Sequence, residues 1–550
     1  MRLICALLVS LLLAPMARAE APTYYRAKAE ALVKAYVDAG RFSGAVLVAV
    51  NGKPLIREGF GLADREWNAA ATPQTEFRLG SITKQFTATA ILQLADAGKL
   101  GLDDPISKYY PAAPAAWSGI TLRHLLTHTS GIPSYTAIPG FFDQQARLDL
   151  TPEGIIALTR DKPLDFPPGA QYAYDNTGYI LLGYVIEKVS GEPYAQYLTE
   201  HIFRPLGMAH TGYDVSAQIL PERASGYTLT PTGLKNAAYL SMTLPYAAGS
   251  LYSDVDDLLT WDQALYASKL ISAASTKAMF TDYGHNYGFG YGIAVRDGHR
   301  EWSHGGGING FATYIARYPD DHLTVIVLSN IQEADTGRIA NQLADLWFGK
   351  TAPAAVTLAP AALDKFVGVY QLGPKFFAHI ARDGDHLTLA GTHQPSAPLL
   401  ASGERTFFSR IADIEITFEA PAADGSPGLT LKQNGAERPA KRVDPAEAAR
   451  IEAAPAAEHV AVAIDPQLFD RYVGVYRLNA AIALNITRDA SHLYIQATGQ
   501  PRLELFPQSQ TDFFLKPVDI QVSFKVGPDG KASAAILHQN GLDTSAPRAP

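Results

Sequence analysis

Ser81 and Lys84 stand three residues apart in Phe77-Arg78-Leu79-Gly80-Ser81-Ile82-Thr83-Lys84-Gln85-Phe86, behind a glycine and ahead of a long apolar-periodic run. On a helix that spacing stacks the hydroxyl and the amine on one face. A serine in the opening turn also lies among backbone N–H groups that lack helical partners. A nucleophile, a base and oxyanion-binding donors are thereby gathered in one turn, the equipment of covalent acyl transfer. Ser-x-x-Lys is a short pattern, and a capping serine beside a solvated lysine is its ordinary alternative. Here the pattern occurs once, at a helix start.

Two later stretches add to it. Tyr174-Asp175-Asn176 lies at a loop-to-helix junction, and Ser303-His304-Gly305-Gly306-Gly307 ends a predicted strand. In the order Ser-x-x-Lys, Tyr-x-Asn, His-x-Gly, these resemble the three motifs of the serine β-lactamase and penicillin-binding protein superfamily, on its class C side. The flanks Leu126-Thr127-His128-Thr129-Ser130-Gly131, Asn176-Thr177-Gly178-Tyr179 and Ile308-Asn309-Gly310-Phe311 agree, and the resemblance covers residues 21–348. It implies that Ser81 is the nucleophile of an acyl-enzyme and that Asn176, His304 and Gly306 orient substrate. It also implies an oxyanion hole made by the backbone N–H groups of Ser81 and Gly307. Lys84 serves as base if burial and a neighbour lower its pKa from about 10.4, and Tyr174 serves if Lys84 stabilises its phenolate. The sequence leaves both open.

The third motif departs from β-lactamases, whose strand usually offers a lysine to the substrate carboxylate. A histidine has a reference pKa of about 6.5 and is mostly neutral at pH 7. His-x-Gly instead resembles D-aminopeptidases, related peptidases of linearised cyclic peptides and the family VIII carboxylesterases. Hydrolysis of a peptide or amide with a free amino end is therefore expected, with an ester, a β-lactam or a DD-peptide as alternatives and a non-catalytic penicillin-recognition sensor as the competing class. Asp175 is the candidate to hold an ammonium group, and His128 reads as a residue that fixes its loop.

These residues need a scaffold. Residues 21–36 carry apolar side chains at helical spacing, and two β-rich runs follow around the turn Asn51-Gly52, a hairpin signal. The helix after Ser81 is expected to end at Gly98, a short helix to cover residues 120–126, another residues 180–189 ahead of Gly191, and a further one to start at Ser253 with Asp256 completing its cap. Residues 290–295, 302–304, 311–318 and 323–328 read as strands, and 334–348 as a closing helix. The class is α+β: an antiparallel sheet in which N- and C-terminal parts meet, flanked by helices and interrupted by an all-α insertion.

Beyond residue 349 the composition turns to Ala and Pro, and a duplication follows. Val367-Gly368-Val369-Tyr370 recurs 106 residues on as Val473-Gly474-Val475-Tyr476, and the same offset carries Arg382-Asp383, His386-Leu387, Phe407-Phe408, Asp413-Ile414 and Gln433-Asn434-Gly435 onto their copies. Each unit is a run of short alternating strands, which predicts two small lipocalin-like barrels. The expected divisions are a leader at 1–19, a catalytic region at 20–350, repeats at 351–440 and 464–550, and a linker at 441–463 that includes a helix. A D-aminopeptidase resembles this architecture of a catalytic region with two all-β domains behind it.

Bulk properties bound the partners. The 550 residues are 47% hydrophobic and 18% charged, ordinary for globular chains, and the net charge of −8 without a basic cluster gives no electrostatic reason for nucleic acid. Arg2, the apolar residues 3–13 and Ala17-Arg18-Ala19 form an export-signal pattern, so a periplasmic or secreted protein with no membrane span in its mature part is expected. The single cysteine, Cys5, lies in that leader, which removes thiol chemistry from the mature chain. His-Glu-x-x-His and Gly-x-Ser-x-Gly are missing, Ala344 spoils a P-loop reading of Gly349-Lys350-Thr351, and Gly288-x-Gly290-x-Gly292 precedes no helix. No cofactor and no metal are expected; the partner is a small peptide, amide or ester, and self-association into a homo-oligomer is compatible with the sequence.

Overall fold

A computed structural model describes residues 16–138, 140–230, 232–350, 353–420, 428–433, 435–453, 459–478, 483–489, 491–497, 503–516, 520–539 and 542–549. The apolar part of the expected leader with Cys5, linker residues Thr351 and Ala352, and Asn434, Asp519, Asn540 and Gly541 of the repeats lie outside these residues. The chain divides into two compact units, one built around the Ser81 region and one holding the C-terminal repeats.

In the first unit a six-stranded antiparallel sheet runs in the order Gly292–Arg296, His299–Ile308, Phe311–Tyr318, Leu323–Ser329, Gly44–Val50, Lys53–Phe60. Its centre joins the two ends of the unit, with Gly44 opposite Ser329 and Val50 opposite Leu323. Both central strands are almost continuously apolar and buried, because helices cover the two faces. Asn51 and Gly52 close the first hairpin with φ of 50° and 71°, as a primed turn requires. The terminal helices Met16–Asp38 and Thr336–Trp347 pack together, with Tyr25 OH donating to Leu343 O at 3.0 Å. The helix Val255–Tyr266 brings Asp262 within 3.0 Å of Arg317 Nε, a fully buried pair.

Between Lys53–Phe60 and Gly292–Arg296 lies the helical insertion, including Thr83–Asp96, Leu122–Leu126, Pro152–Arg160 and Asn176–Ser190. It also carries a three-stranded ladder in which Leu251–Ser253 pairs with Phe77–Arg78 on one side and Gly212–Tyr213 on the other. That ladder corrects one expected start. Ser253 is a strand residue, and the following helix is capped by Asp254, whose carboxylate accepts from Asp257 N at 2.8 Å.

The second unit repeats one design. Eight strands from Gly368–Gly373 to Ala436–Val443 form a barrel that closes through Val369–Val443, Tyr370–Arg442 and Gln371–Lys441. Eight more, from Gly474–Arg477 to Leu542–Pro547, follow the same order, and among the described residues their ends meet at the bridge of Tyr476 with Arg548 and where Ala549 N donates to Val475 O at 2.7 Å. Both interiors are filled by apolar side chains, Ile380, Leu399 and Phe418 in the first and Ile486, Leu505 and Phe524 in the second. The helix Pro445–Glu452, capped by Asp444, follows the first barrel. Among the described residues no helix is long and apolar enough to cross a membrane.

Candidate active site

Ser81 sits in the single 3-10 turn Gly80–Ile82 that opens the helix Thr83–Asp96. Leu79 N donates to Leu251 O at 2.8 Å, so the short ladder aims this turn at the end of the main sheet. Gly80 is obligatory there: its φ is +55°, and a Cβ would stand 2.9 Å from Gly307 N. The helix behind Ser81 is buried nearly all round, polar residues included. Thr87 Oγ1 donates to Ala247 O at 2.7 Å, and Trp261 Nε1 donates to Gln85 Oε1 at 3.1 Å, which fix the helix about its axis.

Lys84 is wholly buried, and desolvation drives its pKa well below the usual lysine value, opposed in part by the charge of Asp175. Its Nζ lies 3.1 Å from Ser81 Oγ, 2.9 Å from Asn176 Oδ1 and 2.9 Å from Ala248 O. The two carbonyl oxygens can only accept. A neutral amine has two N–H bonds and one lone pair; the carbonyls take both N–H bonds, and the lone pair is left for the Ser81 hydroxyl. The Tyr174 ring covers the same nitrogen, with its centroid 4.7 Å from Nζ.

Asn176 opens the helix Asn176–Ser190, and Asp175 is its cap. The Asp175 carboxylate accepts from Gly178 N at 2.9 Å and from Ser130 Oγ at 3.3 Å, and the residue is buried. The ammonium-holding role expected for Asp175 is therefore corrected: this carboxylate belongs to the helix end and faces no open cleft.

The third motif forms the strand His299–Ile308. Its neighbour Gly292–Arg296 stops opposite Ser303, so residues 304–308 have one open edge. Ile308 and Phe311 close a two-residue turn and exchange both ladder hydrogen bonds, which puts the Gly307 N–H on that open edge beside Gly80. Gly306 lies under Leu79, where a Cβ would meet Leu79 O at 1.9 Å.

His304 is buried and belongs to a chain of three rings. Asp175 N donates to His128 Nδ1 at 3.0 Å, which leaves the His128 proton on Nε2, 3.3 Å from Tyr287 OH. The Tyr287 hydroxyl stands 2.9 Å from His304 Nε2, and His304 Nδ1 donates to Gly305 O at 2.6 Å. A backbone donor at one end and a backbone acceptor at the other fix both tautomers and the direction of every proton between them. Burial, then the charge of Lys84, pushes the pKa of His304 down to about 4. His128 is pushed well below its ordinary value by burial, then by Lys84 and His304, and burial pushes Tyr287 well above its own. Both nitrogens of His304 thus have partners within the protein.

All of the motif residues converge, from three separated stretches. Ala248 and Tyr287 escaped sequence reasoning: the first contributes only a carbonyl, and the second lies among glycines in a segment without periodicity. Among the described residues no group of three or more His, Cys, Asp or Glu is arranged to hold a metal ion.

A family model described as Beta-lactamase matches residues 29–346, and one described as a domain of unknown function (DUF3471) matches residues 458–546. Penicillin-binding protein 4* of Bacillus subtilis (strain 168) is 28% identical over 532 residues, 92% of this chain and 95% of that protein. Among solved structures, the octameric penicillin-binding protein homologue from Pyrococcus abyssi aligns with a TM-score of 0.56 at 28% identity, covering 76% of this chain and 99% of its own. The D-stereospecific amidohydrolase from Streptomyces sp. aligns with a TM-score of 0.50 at 30% identity, covering 60% and 99%.

Proposed function

This chain belongs to the Beta-lactamase family, and on that footing we propose that it is a serine hydrolase that cleaves peptide or amide bonds through an acyl-enzyme on Ser81. The observation that carries the reading is the threefold coordination of Lys84: Nζ lies 2.9 Å from the carbonyl oxygens of Asn176 and Ala248 and 3.1 Å from Ser81 Oγ, so that once deprotonated it has its lone pair to offer the Ser81 hydroxyl. Lys84 takes the Ser81 proton as Oγ attacks the substrate carbonyl. The oxyanion forms against the N–H groups of Ser81 and Gly307, which are held in place before the substrate arrives. The proton on Lys84 then passes, by way of Tyr174, whose ring covers Lys84 Nζ, to the leaving amine as the carbon–nitrogen bond breaks. Water then attacks the acyl carbon and gives its proton to Lys84, which returns a proton to Ser81 Oγ as the carbon–oxygen bond breaks and the acid leaves.

The neutral state of His304 supports an amide without a recognised C-terminal carboxylate on the leaving side, and the Streptomyces amidohydrolase supports a D-configured acyl residue. The leader pattern supports export, which N-terminal sequencing of the secreted chain would test by a start at Glu20.

The test is a fluorophosphonate label together with a substrate panel of D- and L-amino acid amides, short peptides, short-chain esters and nitrocefin. Labelling of Ser81, loss of label in Ser81→Ala and turnover of D-amides are expected. Rapid nitrocefin or ester turnover without amide turnover would overturn the amide preference, and an unlabelled Ser81 would overturn the acyl-enzyme.

A further inference from the structure

Asp214 is buried and holds two arginines. Arg78 Nε donates to its Oδ2 at 2.6 Å, and Arg223 Nη1 donates to its Oδ1 at 2.8 Å. Two guanidiniums on one carboxylate leave one positive charge uncompensated, and both side chains keep a solvent-facing part, 17% for Arg78 and 25% for Arg223. They open on a cavity of about 280 Å³ whose other walls include Tyr239, Asn309 and Phe311. Glu76, bridged through its backbone to Arg223, is turned instead to His210 at 3.2 Å.

Two walls of the cavity are joined to the reacting residues by short stretches of chain. Arg78 precedes Ser81 by three residues and Asn309 follows Gly307 by two, so the Cα separations cannot exceed about 11 Å and about 7 Å. Asn309 Nδ2 donates to Ala238 O at 2.9 Å, and Gly226 packs so closely that a Cβ on it would stand 2.9 Å from Gly310 Cα. The far wall is thereby tied to the same turn.

Direction follows from where the protons are. Lys84 and Tyr174 stand toward the His304 end of the strand His299–Ile308, with the Tyr174 and His304 rings 6.1 Å apart. The cavity stands at the other end, beyond Gly307. A leaving amine must gain a proton and so faces the His304 end, which turns the acyl part toward the arginines.

We propose that Arg78 and Arg223, clamped on Asp214, form a subsite for a carboxylate carried on the acyl part of the substrate. The clamp presents planar guanidiniums that a free lysine could not hold in register. Anion binding stands on the cavity alone; only the assignment to the acyl part rests on the acyl-transfer reading.

Two compounds test it, succinyl-D-alanine p-nitroanilide and the same molecule with its terminal carboxylate replaced by a carboxamide. Calorimetric titration of the full-length Ser81→Ala chain should show the carboxylate binding about tenfold tighter. Adding Arg223→Gln should bring the ratio close to one, whereas Arg223→Lys should retain part of it, with thermal melting confirming that each variant is folded. Equal binding of the two compounds, or a ratio that Arg223→Gln leaves unchanged, overturns the subsite. Turnover of both by the unsubstituted chain, measured in parallel, tests the acyl-enzyme independently: a chain that binds with the expected ratio and turns over neither would refute only that reading.

Discussion

The helix behind Ser81 and the interiors of the two barrels are buried alike and built on opposite principles. The helix hides Thr83, Lys84, Gln85, Thr87 and Thr89, and its arrangement depends on single donor and acceptor atoms. The barrels bury apolar residues in a pattern repeated at the 106-residue offset and share a polar device: Tyr370 OH donates to Phe366 O at 2.8 Å, and Tyr476 OH donates to Tyr472 O at 2.7 Å. Burying polar atoms costs free energy unless every one is matched. Where a chain accepts that cost without repeating it, the atoms serve chemistry; where it repeats one pattern, the residues serve stability.

Single-atom changes should therefore hurt activity in the first region and only stability in the second. The largest effect is expected from Lys84→Met, which fills the space but removes the lone pair. kcat/KM should fall at least about 10³-fold, while the melting temperature holds or rises, because an amine no longer needs to be desolvated. Retained turnover would remove Lys84 from the mechanism. The pH profile of the unsubstituted chain sharpens the point. The base must be deprotonated, and burial lowers its pKa, so kcat/KM should rise with pH and level off well below the usual lysine range. His304, near 4, should contribute no inflection at neutral pH.

Gly80→Ala comes next. It places a methyl group 2.9 Å from Gly307 N at a φ of +55°, and the separated oxyanion donors should cost about 10²-fold in kcat. The backbone strain should lower stability by about 1–3 kcal/mol. Stability lost with kcat unchanged would show that Gly307 N is not a donor to the oxyanion. Tyr287→Phe is expected to be milder. It cuts the link from His128 to His304 and leaves His304 Nε2 unmatched, so the glycine strand loses an anchor one residue from Gly305. A fall of about tenfold in kcat with KM nearly constant is expected; a change in KM alone would mean that Tyr287 touches substrate instead.

The same contrast explains what could be read in the sequence. Strands 311–318 and 323–328, the hairpin at Asn51-Gly52 and the barrel repeats follow from periodicity and turn residues, which are local properties. Ser81, Lys84, Tyr174, Asn176 and His304 could be singled out because each sits in a short motif. Their electrostatic state was not legible, since it depends on distant partners: His304 is neutral because of burial and Lys84, and Asp175 caps a helix because residues 176–190 are helical from their first residue. Ser253 offered a plausible cap, but Leu251–Ser253 was claimed by pairing with Phe77–Arg78, a tertiary contact that overrides local preference. The arginine clamp on Asp214 has no motif, because its members lie 136 and 9 residues from their shared partner.

The smallest expected effect lies in the barrels, where it also tests the duplication. Tyr370→Phe and Tyr476→Phe each delete one buried hydroxyl that donates to the carbonyl four residues earlier. Each should lower stability by about 1 kcal/mol, and the double variant should lose the sum, because the two sites share no partner. The closing contacts differ, however: three residue pairs join the ends of the first barrel, whereas among the described residues the ends of the second meet at the bridge of Tyr476 with Arg548 and at the adjoining Val475. The loss in Tyr476→Phe should therefore extend to faster hydrogen exchange along Leu542–Pro547, while Tyr370→Phe should leave Ala436–Val443 protected. Turnover on a D-amide should stay within about twofold in both. A tenfold loss of kcat/KM in either would mean that Ser81 chemistry depends on barrel packing, and the division between a unit that spends buried polar atoms on chemistry and one that spends apolar surface on stability would fail.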